Sequence, residues 1–443
     1  MSGVPRVEAA DRALLGTADR NAAWLGGAFV IVLLTQQLRV PGTSVPVASV
    51  ATGVVLVVLV LRGARFKSLT AVLLCVILAT YATAVTLLGA IRATNSGAVE
   101  VLISIPFVWS VVAFAPILDM TGVSQERLRA IVKYTLLFVC GLGYVQFFVQ
   151  IYGGGYVGLR EVVPTDWLLP GYVNTSGFGS SGMLPGLLRG NGMVFLEPSY
   201  AGQFYALGAL LFLSAGSIWS IPMVAMVLLT GSGTGFLVLA AGVLVGLFAY
   251  NRRSWLILIA IAASSYFALA GLRLGDAMFD RTSELSNSES SGSIRFVAPY
   301  QHLSQFWGDF DVHAIFGLGS GGSGFYAGLA DTKANYSFLP SAIIDFGVVG
   351  VILAAVILYR ICRLEIDLGS RVGLVLIVLV MSGGFSTPMI SATVLVLVAG
   401  LSPDCVFDRL GGPGMERGHR PFYGAAGRTD VRREPAARLA WRH

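Results

Sequence analysis

The sequence predicts an all-α, polytopic membrane protein with about 11–12 transmembrane helices and two long external loops containing short amphipathic helices. Three observations carry that expectation. Hydrophobic residues make up 55% of the 443 positions and charged residues only 12%, whereas a soluble domain of this length carries roughly twice that share of charge. Mean hydropathy is +0.75. The apolar residues fall in runs of about 15 to 23 rather than at amphipathic spacing. Inside lipid the backbone must bond to itself, so such runs are helices.

Residues 1–22 are polar and include Arg6, Arg12 and Arg20, with no small-residue cleavage site behind a short apolar core. They read as a cytoplasmic leader before an uncleaved span, not as a signal peptide. A membrane domain over residues 23–401 follows, with apolar runs at about 23–38, 45–61, 69–91, 98–118 and 130–151. After a polar stretch come runs at about 193–215, 217–230, 235–250 and 254–272. A second polar stretch precedes runs at about 338–359 and 372–401.

Loop charge orients the chain. Cytoplasmic connections carry an excess of Lys and Arg. With the N-terminus inside, the even-numbered connections hold Arg62, Arg65 and Lys67, then Arg127, Arg129 and Lys133, then Arg252 and Arg253, then Arg360, Arg363 and Arg371. The connection near 216 is uncharged. The alternation puts the two long loops, about 153–191 and 273–336, outside, and loops of this length usually carry function. The last run is interrupted by Gly383, Gly384 and Pro388. Two short helices meeting there return the Arg-rich tail, 402–443, to the cytoplasm, where its composition predicts a disordered, membrane-apposed segment. One tilted helix is the alternative.

Several function classes fall away early. The formal charge of +6 is spread over short connections and a tail, unlike a nucleic-acid binder, which concentrates it on one domain. Cys75, Cys140, Cys362 and Cys405 lie in or beside different runs without CxxC or CxxH spacing, so neither a disulfide framework nor a zinc site is indicated. No GxxxxGK[ST] occurs, which removes a P-loop. No repeat of 20 to 50 residues is visible.

The chemistry-bearing residues gather in the long loops. In the first, Tyr156, Trp167 and Tyr172 offer faces for stacking on sugars, or simply mark the interfacial aromatic belt. That loop ends in Arg189-Gly190-Asn191-Gly192-Met193-Val194-Phe195-Leu196-Glu197-Pro198-Ser199. Pro198 suits a first helical turn, and Glu197 beside it sits at the positive end of the helix dipole. Glu197 is either a helix-start acid paired with Arg189 or part of an anion- and proton-handling pair with it; the planar guanidinium suits phosphate oxygens.

The second loop opens with a serine-rich run, Thr282 to Ser293, followed by Arg295 and a segment with Trp307, Phe310 and Phe316 that reads as a surface-lying amphipathic helix. Gly317 to Gly322 is a Gly-rich stretch whose N–H groups could wrap a phosphate. His302 and His313 are candidate proton carriers. Asp345, inside an apolar run, is costly unless it faces the protein interior, locking helices or lining a cavity.

These residues resemble the bacterial O-antigen polymerase and O-antigen ligase-like superfamily. The likeness rests on Arg189, Gly192, Glu197, Pro198 and Ser199 at the end of the first loop. It continues with Arg295, Gly317, Gly319 and Asn335, then Asp345 to Gly350, in and after the second. In layout it covers roughly 23–401; the motifs are confined to these two regions.

The resemblance implies a glycosyltransferase of the bacterial inner membrane, acting at its outer face on polyprenyl-diphosphate-linked oligosaccharide without cofactor or catalytic metal. Arg189, Arg295 and Asn335 would bind the diphosphate. Glu197, Arg295, His302 and His313 would be the catalytic candidates, with arginine stabilising the leaving group and an acid or histidine taking the proton. Membrane lipids, a flippase and a chain-length regulator are the other partners it implies. Ligase members commonly read His-Asn before the span that follows the large loop; here the pair is Ala334-Asn335 after Lys333, which favours a polymerase. Ligase-type transfer, a lipid-linked glycan transporter or flippase, and a non-enzymatic partner in polysaccharide assembly are the competing readings.

Overall fold

The computed structural model describes residues 4–43, 46–61, 65–66, 69–92, 118–119, 123–169, 188–249, 291–308, 312–319, 322–323, 326, 334–364 and 366–380. All but the last residue of the run expected at 98–118, the run expected at 254–272, the Gly383–Pro388 break, the tail, Tyr172, Phe310 and Lys333 lie outside them.

The described residues are mostly helical. The helices are α1 (Val4–Leu34), α2 (Val47–Leu61), α3 (Leu69–Arg92), α4 (Gln125–Ile151), α5 (Pro198–Ser214), α6 (Ser220–Leu229), α7 (Gly233–Ala249), α8 (Ser291–Phe296), α9 (Ala298–Gly308), α10 (Val312–Phe316), α11 (Phe338–Cys362) and α12 (Leu368–Val380). The only ladder among the described residues is a two-residue antiparallel pair, Arg65–Phe66 with Leu118–Asp119. The leader is helical from Val4 and continuous with the first apolar run.

Among the described residues two helices, α4 and α11, are long and apolar enough to cross a membrane, with hydropathies of 1.6 and 2.5 over their most apolar windows. Only 33% of that window in α4 is buried, so one face, with Phe138, Val145 and Phe148, points outward, while Leu128, Val132, Leu136 and Val139 enter the core. Shorter apolar helices lie at Val76–Leu88, Ser220–Leu229, Gly233–Phe248 and Leu368–Leu379.

The centre of the molecule is α5. From Tyr200 to Leu210 every residue is buried, the signature of a helix enclosed on all sides. It packs on α4, α6, α7 and α12. Contact with α7 is close because two glycines meet: a Cβ on Gly235 would lie 2.7 Å from the Gly202 carbonyl carbon. Small residues of this kind let apolar helices approach backbone to backbone.

Contacts sort by end of the bundle. Toward one end of the bundle, beside the middle of α1, Arg127 pairs with Asp19 at 3.5 Å and Ser124 N–H donates to Ala18 O. At the other end the α1–α2 connection meets the first long loop. There Arg39 N–H donates to Trp167 O at 2.8 Å, Leu169 N–H to Gln37 O at 2.9 Å, and Arg39 Nε to Asp166 O at 2.9 Å.

The second long loop departs from the single amphipathic helix expected after Arg295. Its described residues include three short helices, α8, α9 and α10, with a turn at Val297 between the first two. The segment after α10 then runs against α11, which is broken. Gly347 has φ 58° and ψ −137°, so the carbonyls before it lose their helical partners. They are taken up from outside the helix: Leu318 N–H donates to Ile344 O at 2.9 Å and Gly319 N–H to Asp345 O at 2.8 Å. Tyr81 of α3 donates to Phe316 O at 2.8 Å. Gly317 (φ 79°) permits the approach, since a Cβ there would lie 2.3 Å from Asp345 O.

Candidate functional site

The start of α5 is prepared by the turn before it. Gln146, a fully buried polar residue of α4, donates through Nε2 to Val157 O at 2.6 Å and to Asn191 Oδ1 at 3.0 Å. Its Oε1 accepts Gly192 N–H at 2.9 Å. Asn191 Oδ1 also accepts Tyr156 Oη–H at 2.6 Å and Met193 N–H at 3.1 Å, and its Nδ2 donates to Phe195 O at 2.6 Å. Burial pushes the Tyr156 phenol well above its usual pKa, which keeps it a donor. Gln37 closes the turn from the α1–α2 connection, donating to Phe195 O at 2.6 Å. Within this frame Gly192 (φ 64°) and Met193 (φ 66°) are both left-handed. For Met193 that backbone is strained and persists only because its surroundings over-determine it.

The frame delivers Glu197 as the extended N-cap of α5, with φ −139° and ψ 154°, and Pro198 at the first helical position. Its carboxylate makes no capping bond. Instead it forms an ion pair with Arg295 of α8, Glu197 Oε2 accepting from Arg295 Nη2. Ser199 completes a triangle: its hydroxyl donates to Glu197 Oε2 at 2.9 Å and accepts from Arg295 Nη1 at 3.1 Å. The side chains of Arg295 and Glu197 are 18% and 21% exposed, so the pair is sheltered yet reachable from solvent. Ser199 is in turn tied to α7, Ser232 Oγ donating to its carbonyl at 3.4 Å.

The pairing of Glu197 with Arg189 expected from sequence proximity is therefore replaced by pairing with Arg295. The reason is direction: the Asn191 turn separates Arg189 from Glu197, while the Arg295 side chain of α8 reaches the start of α5. Arg189 is half-buried at the entry to that turn. Asn335 joins the cluster through its backbone, its N–H donating to Ile294 O at 2.9 Å beside Arg295.

His302 belongs to a buried aromatic group on α9 and the second loop. It is 1% exposed, with Nδ1 2.7 Å from Tyr336 Oη and its ring against Tyr326 and Tyr336. Burial draws the imidazole below its usual pKa and pushes the Tyr336 phenol well above its own. The neutral pair that results shares one hydrogen bond between Nδ1 and the phenol, which occupies that ring nitrogen. His313, half-buried on α10, accepts Gly317 N–H through its carbonyl. It belongs to the segment packed on α11.

Asp345 is fully buried, as an acid in an apolar run requires. Its Oδ1 accepts Ser323 N–H at 2.7 Å, and the Ser323 hydroxyl lies 2.9 Å from that of Ser341. Asp345 thus ties the second loop to α11. The Gly-rich stretch does not present the Leu318 and Gly319 N–H groups to a phosphate, because the α11 carbonyls use them.

Sequence reasoning left Gln146, Asn191 and the bridging role of Ser199 unassigned. Gln146 carried a usable signal, since a polar side chain inside an apolar run needs an interior partner. Among the described residues, no group of three or more His, Cys, Asp or Glu is placed to hold a metal ion. No protein-family model matches the chain, and no curated protein matches it either.

Proposed function

We propose that the chain is a polytopic protein of the bacterial inner membrane that polymerises polyprenyl-diphosphate-linked oligosaccharide units at the outer face. The observation that carries this reading is the Glu197–Ser199–Arg295 cluster, in which residues 98 positions apart join the two long loops. Outward-facing apolar side chains on α4 and the alternation of basic connections support the multi-pass arrangement, with both termini cytoplasmic. Under that arrangement the cluster lies outside.

In the proposed reaction an acceptor hydroxyl attacks the anomeric carbon of the lipid-linked glycan. The new C–O bond forms as the bond to the diphosphate breaks, and the lipid diphosphate leaves. Arg295 stabilises the charge developing on that leaving group, with Arg189 and Asn335 as further diphosphate contacts. Glu197 orients the guanidinium and takes the hydroxyl proton. His302 is less suited to that role, because its Nδ1 is engaged by Tyr336. The partners are the lipid-linked glycan, membrane lipids, a flippase that supplies the substrate and a chain-length regulator.

The test is to incubate purified protein in detergent with lipid-diphosphate oligosaccharide, without nucleotide or added metal, and to look for lengthened glycan. Failure with several repeat units from the source organism rejects the polymerase. Transfer to a lipid-A-type acceptor instead makes it a ligase. One feature favours a transporter: the break in α11 at Gly347 beside the buried Asp345 is of the type that lines transport sites. Movement of lipid-linked glycan across proteoliposomes without elongation is the outcome that selects it.

A further inference from the structure

A cavity of about 230 Å³ opens at the opposite end of α5 from Glu197, between α4, α5 and the start of α12. Its polar lining is Arg129 and Lys133 from α4, with Ser214 and Asp367; its apolar lining includes Leu207 and Leu374. The Lys133 ammonium lies 5.8 Å from the centre of the Phe212 ring, a distance at which the ring face attracts it. Arg129 Nη2 donates to Gln125 Oε1 at 3.2 Å, which braces the guanidinium along α4. The one carboxylate, Asp367, is turned to another task. Its Oδ1 caps α12 by accepting Ser370 N–H at 2.9 Å, and it makes no ion pair with Lys133 among the described residues. Two cations against one capping acid leave the cavity with a net positive charge.

We propose that this cavity binds the phosphodiester headgroup of an anionic phospholipid. Arg129 and Lys133 take the phosphate oxygens, and the apolar wall from Leu207 to Leu374 takes the start of an acyl chain. A free inorganic anion needs the two cations but has no use for the apolar wall, so the mixed lining favours a lipid. The loop-charge orientation places Arg129 and Lys133 on the cytoplasmic side, where basic pockets between membrane helices meet anionic headgroups. The inference rests on these helices meeting lipid and is independent of the glycan chemistry at the other end.

The probes are a short-chain phosphatidylglycerol, the matching phosphatidylcholine and inorganic phosphate, each titrated against the full chain in detergent by native mass spectrometry and thermal shift. Phosphatidylglycerol is expected to stay bound and raise the melting temperature, with the other two at least fivefold weaker. Lys133→Met lowers phosphatidylglycerol affinity at least fivefold, whereas Arg127→Gln, outside the cavity, leaves it unchanged. Asp367→Asn keeps a capping side chain and removes the opposing charge, so it tightens binding; a role confined to helix capping predicts no such gain. Equal binding of phosphatidylcholine, equal binding of inorganic phosphate, or indifference of affinity to both Lys133→Met and Asp367→Asn overturns the proposal.

Discussion

Arg295→Lys is the perturbation that separates a catalytic guanidinium from a structural one. Arg295 uses two nitrogens at once, Nη1 on Ser199 and Nη2 on Glu197. A lysine ammonium is a point donor that keeps one contact and loses the fork. With side chains 18% and 21% exposed, the pair is worth more than the 0–1 kcal/mol typical of surface bridges, yet less than the ~3–5 kcal/mol of a fully buried pair with one partner removed. Arg295→Ala is therefore expected to lower stability by about 2 kcal/mol, and Arg295→Lys by about 1 kcal/mol, one charge-assisted hydrogen bond being lost. Under the proposed function, glycan elongation is expected to fall at least tenfold in Arg295→Lys, about 1.4 kcal/mol in the barrier. Thermal unfolding in detergent and gel-resolved glycan length measure the two quantities on the same preparation. A double-mutant cycle with Glu197→Gln isolates the pair. Arg295→Lys at full elongation, or a coupling below about 0.5 kcal/mol, refutes the reasoning.

Three further outcomes follow from the geometry. Asn191→Ala removes the acceptor shared by Gln146, Tyr156 and Met193; stranding buried donors costs about 3 kcal/mol or more, read as a drop in melting temperature with loss of elongation. Gly317→Ala forces a Cβ to 2.3 Å from Asp345 O at φ 79°, whereas Gly216→Ala at φ 63° meets nothing within 4 Å. The first is expected to cost at least ~3 kcal/mol and the second only the ~1–2 kcal/mol of a left-handed residue, so equal melting temperatures contradict the α11 break as described. His302 is held below its usual pKa by burial, so the unfolded chain binds the proton more readily than the folded one. Its contribution is complete above about pH 6.5 and is lost as pH falls through the lowered folded value. The melting temperature should fall from pH 7.5 to pH 5, and by less in His302→Gln; an identical fall assigns the effect to another group.

The sequence by itself determined much of the helical content, since long unbroken apolar runs can bury their backbone polar groups only by bonding within the segment. The described helices occupy those runs, from Val47–Leu61 through Phe338–Cys362. Pro198 at the head of α5 and the interior position of Asp345 were equally legible, because a proline ring and an acid in an apolar run each leave few physical options. Local periodicity has no access to what happens between distant segments. That Glu197 meets Arg295 and not the nearer Arg189 depends on the Gln146–Asn191 frame turning the chain before α5. That Gly317 and Gly319 close a broken helix rather than a phosphate depends on Gly347, whose left-handed backbone opens carbonyls only a neighbouring segment can fill. Composition decided which residues are helical; the tertiary structure decided which polar groups face one another, because hydrogen bonds and ion pairs are matters of distance in space.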